Sequence, residues 1–85
     1  MPVVSRFLGI TIAMYWADHS PPHFHAKYGE YEIRVAIHDG SIEGRFPRHA
    51  LQLVLEWYSL HQAELLADWN RCRLHEEPLP IEPLE

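Results

Sequence analysis

The sequence has a single cysteine, Cys72, among its 85 residues. One thiol cannot form an internal disulfide or a cysteine-based zinc site, since both need several thiols. The start of the chain also lacks the charged segment and apolar core of a secretory signal. We therefore expect a protein of the reducing cytoplasm.

Long apolar runs and an excess of positive charge are also missing. No run approaches the roughly 20 apolar residues of a membrane-spanning helix, so no membrane partner is expected. Seven Lys and Arg against twelve Asp and Glu give a formal net charge of −5. This balance disfavours nucleic acid as a partner except at a local basic cluster, because a nucleic-acid interface has to neutralise phosphates.

The composition does favour a packed fold, since 47% of the residues are apolar. The length predicts one small domain, residues 1–75, in which a partner or a metal would add stability. Residues 76–85 contain three prolines, which cannot continue a helix, and they predict an extended tail. The tail could dock on this domain or on a partner, or be disordered.

Strands are predicted where apolar residues recur with period two, in residues 10–16, 24–28, 31–37 and 42–46. The glycine-containing pairs Gly29-Glu30 and Asp39-Gly40 suit two-residue hairpin loops. Pro47 and the helical spacing that follows predict a helix from 48 to 75, which would be about 42 Å long at 1.5 Å per residue. Such a length exceeds a compact domain, so we expect a break within residues 59–62. The predicted fold is α+β, an antiparallel sheet of about four strands in two consecutive hairpins, covered on one face by two C-terminal helices.

The loop lengths also predict a strand register. The first loop places Tyr28 opposite Tyr31, and the second places His38 opposite Ser41. The aligned pairs of the first hairpin are then Lys27 with Glu32, His25 with Arg34, and His23 with Ala36. The second register sets Arg34 opposite Arg45, an unfavourable pair.

The segment from Asp18 to His25 places three imidazoles around two prolines. The prolines bias the chain toward an extended path, along which side chains alternate between two faces. We therefore expect His23 and His25 on one solvated face and Phe24 on the other.

Three interpretations of this segment stay open. His19, His23 and His25 could bind a divalent metal such as zinc, with Asp18 or His38 as further ligands, although the charge of Arg34 argues against a cation. His23, His25 and Arg34 could instead form the catalytic group of a phosphoester-directed, RNA-cleaving enzyme. In that case His19, Lys27 and His38 would help to bind the ligand. The segment could also be a structural turn, in which imidazoles cap loop carbonyls.

The motifs along the chain resemble the bacterial domain-of-unknown-function 4160 family over nearly the whole length. Those motifs are Val4-Ser5-Arg6-Phe7, Met14-Tyr15, Asp18 to His25, Tyr28 to Tyr31, Pro47-Arg48-His49-Ala50-Leu51 and Leu55-Glu56-Trp57. The resemblance implies a small bacterial cytoplasmic protein, often encoded beside another short protein in a toxin-antitoxin-like arrangement. It carries over no catalytic residue.

Our leading hypothesis is therefore a small cytoplasmic interaction protein of a two-gene, toxin-antitoxin-like module, with a histidine-rich surface site. Its expected partners are the small protein encoded by the neighbouring gene and a second copy of the chain as a homodimer. The phosphoester-directed enzyme and the small metal-binding domain are the alternatives.

Overall fold

A computed structural model describes residues 2–85, so Met1, the first residue of the predicted domain, lies outside the described residues. The chain folds into a five-stranded antiparallel sheet followed by one helix, which confirms the α+β class. Each strand pairs with the next along the chain. The elements are β1 (Val3–Phe7), β2 (Ile10–Ala13), β3 (His23–Tyr28), β4 (Tyr31–Ala36), β5 (Ile42–Arg45) and α1 (Arg48–Arg73).

The prediction of about four strands is wrong because β1 was not recognised. Its pairing with β2 shifts register between Val3 and Ser5. A bulge of this kind moves the apolar positions off the period of two, since it adds one residue to one strand. Val4 and Phe7 are both buried although they lie three positions apart. Simple alternation therefore does not mark this strand.

The register of the first hairpin is confirmed, since Tyr28 pairs with Tyr31 and His25 with Arg34. The register of the second hairpin is wrong by two residues: Arg34 pairs with Glu43 rather than with Arg45. Ile37 is buried in the core and donates its N–H to the carbonyl of Pro22 at 3.0 Å, so it belongs to the turn instead of the strand. A register shift of two residues keeps every side chain on the same face of the sheet. It replaces the unfavourable Arg34–Arg45 pair with the favourable Arg34–Glu43 pair.

The prediction of two helices is also wrong, because α1 runs from Arg48 to Arg73 as one 26-residue element. Its one non-helical residue, His61, lies inside the interval 59–62 where a break was expected. The helix packs against the sheet through Trp57, which lies 5.8 Å from Phe24 between ring centroids. Tyr58 donates its hydroxyl hydrogen to the carbonyl of Ile37 at 2.6 Å, which ties the helix to the second turn.

The C-terminal tail is extended and lies against the domain itself. Ile81 is 4% exposed, and its N–H donates to the carbonyl of Val4 at the edge of β1. The N–H of Leu79 donates to Asp68 Oδ1, and Trp57 Nε1 donates to the carbonyl of Glu82, both at 2.8 Å. The tail therefore covers one edge of the sheet and one side of the helix. Among residues 2–85, no helix has both the length and the apolar character that a membrane span requires.

Candidate functional site

The site forms where the loop between β2 and β3 folds back over the start of β3. This loop contains Asp18 and ends in Pro21 and Pro22, with a cis peptide bond between Ser20 and Pro21. The alternation of β3 sends Phe24 into the hydrophobic core and leaves His23 and His25 together on the other side. Their ring centroids are 5.1 Å apart.

The expectation that this face is solvated is wrong. His23 is 6% exposed and His25 is 9% exposed. The ring of Trp69, from the second half of α1, lies 5.1 Å from that of His23, and the ring of Tyr15 lies 4.5 Å from that of His25. The histidine-rich site is therefore enclosed by aromatic side chains, and this cover comes from parts of the chain that are distant in sequence.

Asp18 joins the two imidazoles. One carboxylate oxygen, Oδ2, lies 3.0 Å from His23 Nε2 and 3.3 Å from His25 Nε2. One ligand atom from each of these three residues lies within 4.8 Å of the others, the spacing of a potential metal site. We call Asp18, His23 and His25 the Asp-His-His cluster.

The carboxyl group of Asp18 has a pKa below its ordinary value of 3.8. Burial alone would raise this pKa, because it disfavours the charged form. The opposing effects are larger in sum: the backbone N–H of His19 donates to the carboxylate, and the rings of His25 and His23 bond to it and stabilise its charge. Asp18 is thus ionised at neutral pH.

The other ring nitrogens of the two histidines also face oxygen atoms. His23 Nδ1 lies 2.8 Å from the carbonyl oxygen of Pro21, and His25 Nδ1 lies 3.2 Å from Glu32 Oε2. A carbonyl and an ionised carboxylate only accept hydrogen bonds, and a neutral imidazole has a single N–H, so each neutral ring can satisfy only one of its two contacts. With the hydrogen on Nδ1, the Nε2 lone pair of each ring points at the Asp18 carboxylate. A second proton or a bound cation at Nε2 would remove this repulsion.

The other predicted site residues, His19, Lys27, Arg34 and His38, are not part of the cluster. His19 and His38 are exposed, and His38 lies in the turn after β4. Lys27 Nζ lies 5.9 Å from the centroid of the Tyr15 ring. Arg34, whose charge argued against a cation, donates from Nη2 to Glu43 at 2.9 Å and 3.1 Å.

Two contributors were missed from the sequence. Trp69 and Glu32 are not among the predicted site residues, although both contact the histidines of the cluster. The predicted pairing of strands β3 and β4 carried a signal for Glu32, since it set this residue diagonally beside His25. No local signal places Trp69 beside His23, because 46 positions separate them in the sequence.

Comparison with known proteins bears on this region directly. A family model described as "Domain of unknown function (DUF4160)" matches residues 9–70, which include the whole Asp-His-His cluster. No curated protein and no solved structure matches the chain. Because the match covers well over half of the sequence, the chain belongs to the DUF4160 family.

Proposed function

We propose that this protein is a small metal-binding domain that holds one divalent ion of the zinc class between Asp18, His23 and His25. The observation that carries the proposal is the hydrogen bonding of the two rings, in which all four nitrogens face oxygen acceptors. One cation bound to Nε2 of both histidines and to Oδ2 of Asp18 would remove the repulsion between the ring lone pairs and the carboxylate.

Charge balance favours the metal over protons. The two carboxylates, Asp18 and Glu32, carry two negative charges beside the rings, which either two imidazolium protons or one divalent ion would neutralise. Two imidazolium rings at a centroid distance of 5.1 Å would repel each other inside a largely buried site. One metal ion leaves both rings neutral.

The donor set also suits the zinc class. Zinc binds imidazole nitrogen and carboxylate oxygen, and the affinity of such sites rises across the first-row divalent metals toward copper and zinc. Histidines that bind metals commonly donate their other N–H to a carbonyl or a carboxylate, as His23 does to Pro21 and His25 does to Glu32. Three protein ligands would leave one position of a tetrahedral shell open.

The test is metal titration of chelator-treated protein, followed by calorimetry and by the visible spectrum of the cobalt form. We expect one ion per chain in the wild type and binding weakened more than about 100-fold in His25→Gln, which removes a ligand. Glu32→Gln, which weakens only the outer hydrogen bond, should cost about 10-fold to 100-fold. His38→Gln changes an exposed histidine outside the cluster and should bind like the wild type. Equal binding by the wild type and His25→Gln would refute the proposal.

We further propose that the domain acts in the bacterial cytoplasm. Its single cysteine, Cys72, is buried and free, as suits a reducing compartment. The bacterial assignment rests on the family resemblance alone.

The interaction role is our second proposed function, with a second copy of the chain as the partner. It is supported by the contrast between the two sheet edges: the tail bonds to β1 at Val4, whereas nothing within residues 2–85 pairs with the outer edge of β5. Antiparallel pairing of two β5 strands about Gly44 would set Glu43 of each copy opposite Arg45 of the other. This opposite-charge register favours a symmetric dimer.

Sedimentation of the purified protein tests this role. We expect a concentration-dependent dimer that Arg45→Asp abolishes and Arg48→Asp, an equal charge change at the helix start, leaves intact. A wild-type chain that stays monomeric would refute the homodimer. If that monomer formed a 1:1 complex with the protein encoded by the neighbouring gene, the partner in this role would be that protein instead.

A further inference from the structure

A pocket of about 270 Å³ lies directly beside the Asp-His-His cluster. It forms over the small side chains of Ala36 and Ser41, which are joined by a backbone hydrogen bond of 2.9 Å. His23 and the Ser20-Pro21 segment form one wall. Ala36 is the strand partner of His23, so the pocket and the metal ligands share one face of the sheet.

The ion pair of Arg34 and Glu43 also lines the pocket. Arg34 is aligned with His25 on the neighbouring strand, which places its positive charge on the cluster's side of the sheet. Both of its hydrogen bonds to Glu43 come from Nη2, whereas a guanidinium group has five N–H donors. The N–H groups on Nε and Nη1 therefore have no acceptor among the described residues.

The pocket has the donors and the size for a small anion. Besides Arg34, the residues that line it include Ser20, Ser41 and His19, whose side chains can donate hydrogen bonds. Its volume is just under the roughly 300 Å³ at which sites for drug-sized molecules begin. Glu43 opposes an anion, but its charge is already paired with Arg34.

We infer that this pocket binds a phosphate group, which also takes the open coordination position of the metal. The inference rests on the proposed metal site. His23 links the two parts, because it is both a ligand in the cluster and a wall of the pocket. A phosphate between the metal and Arg34 would contact positive charge on two sides, and guanidinium groups bind phosphate through paired N–H groups.

The experiment is titration of the cobalt-loaded protein with inorganic phosphate, followed by the visible spectrum of cobalt. We expect a saturable spectral change with the wild type. Arg34→Met should weaken phosphate binding about tenfold or more and leave cobalt binding unchanged. Ala36→Leu, which fills the pocket floor and keeps Arg34, should weaken it as well. Arg48→Met removes the same charge from the helix start, away from the pocket, and should behave like the wild type.

The outcomes separate the two proposals. A protein that binds cobalt with an unchanged spectrum in phosphate overturns the phosphate site and leaves the metal site standing. Phosphate binding that is equally strong in Arg34→Met also overturns the site, because the anion would then lie elsewhere on the metal. A protein that binds no cobalt overturns the metal site, and the phosphate site with it.

Discussion

Asp18 joins the loop to the two histidines, because its carboxylate accepts a hydrogen bond from the backbone N–H of His19 and lies within hydrogen-bond distance of both imidazole rings. The sequence placed His23 and His25 on one face correctly, since alternation depends only on the strand. It named Asp18 as one of several further ligands. The choice between Asp18, His19 and His38 depends on the path of the loop, which local pattern does not determine.

The metal-free protein should lose stability in acid through Asp18. The pKa of this carboxyl in the folded protein lies below its ordinary value of 3.8, so the folded state binds fewer protons than the unfolded state near that pH. The contribution is fully present above the unfolded pKa and is lost as the pH falls through the folded pKa. Urea unfolding between pH 6 and pH 2 in the presence of chelator measures this loss. Asp18→Asn should show a smaller loss than the wild type, and parallel curves for the two proteins would contradict the assignment.

Replacing the buried carboxylate of Asp68 should raise the free energy of unfolding. It is 2% exposed, its Oδ2 has no hydrogen-bond partner among the described residues, and burial raises the pKa of its carboxyl. Asp68→Asn keeps the Oδ1 acceptor for the N–H of Leu79 and removes a buried charge. We expect stabilisation by about 1 kcal/mol at pH 7, measured by urea unfolding.

The stability difference between Asp68→Asn and the wild type should depend on pH, which provides a control. A raised pKa means that the wild type loses stability as the pH rises from the unfolded value through the folded value. The gain of Asp68→Asn should therefore shrink in acid, where Asp68 is protonated. Glu56→Gln, an exposed change on the same helix, should be neutral at both pH values; a gain of equal size there would remove the explanation by burial.

Among the elements, the tail shows how a segment without regular structure can stabilise the fold. Ile81 is buried, and its backbone bonds to β1, whereas Leu79 in the same tail is 55% exposed. We expect Ile81→Ala to lower the free energy of unfolding by about 2 kcal/mol, the lower end for a buried isoleucine. Leu79→Ala should have little effect. Equal, small effects of both in urea unfolding would mean that the tail does not contribute to the core.

The sequence pattern predicted some of the strands and their pairing correctly and others wrongly. The first hairpin could be predicted down to its residue pairs, because Gly29 lies at its loop and the flanking strands alternate regularly. The second could not, because Ile37 looks like a strand residue and is held in the turn by Pro22 and Tyr58. β1 was missed for a similar reason, since its bulge interrupts the alternation between Val3 and Ser5. In each case a contact from elsewhere in the fold outweighed the local pattern.

For the molecule as a whole, metal binding should appear as added stability. A ligand that binds only the folded state stabilises it by about 2.7 kcal/mol when its concentration is 100 times the dissociation constant. We expect zinc to raise the melting temperature of the wild type by several degrees, and chelator to reverse the rise. His25→Gln should show no zinc-dependent shift. A shift of equal size in this variant would place the metal elsewhere.

The composition of the whole chain predicted its class but not its site. Its apolar content, single cysteine and net charge of −5 describe a small packed domain, and the structure has this form. The burial of His23 depends on Trp69, which reaches it only after the helix has passed the kink at His61. Such an arrangement is a property of the complete fold.

The contact between Trp69 and His23 also gives the protein an optical reporter. Indole fluorescence responds to charge and to heavy-atom neighbours, and this indole is 2% exposed with its ring 5.1 Å from the imidazole. We therefore expect the emission of Trp69 to change when a metal ion binds at the proposed site, without any attached dye. Trp57, on the same helix, contributes a second signal from its own surroundings, which are Phe7, Phe24 and the ring of His61.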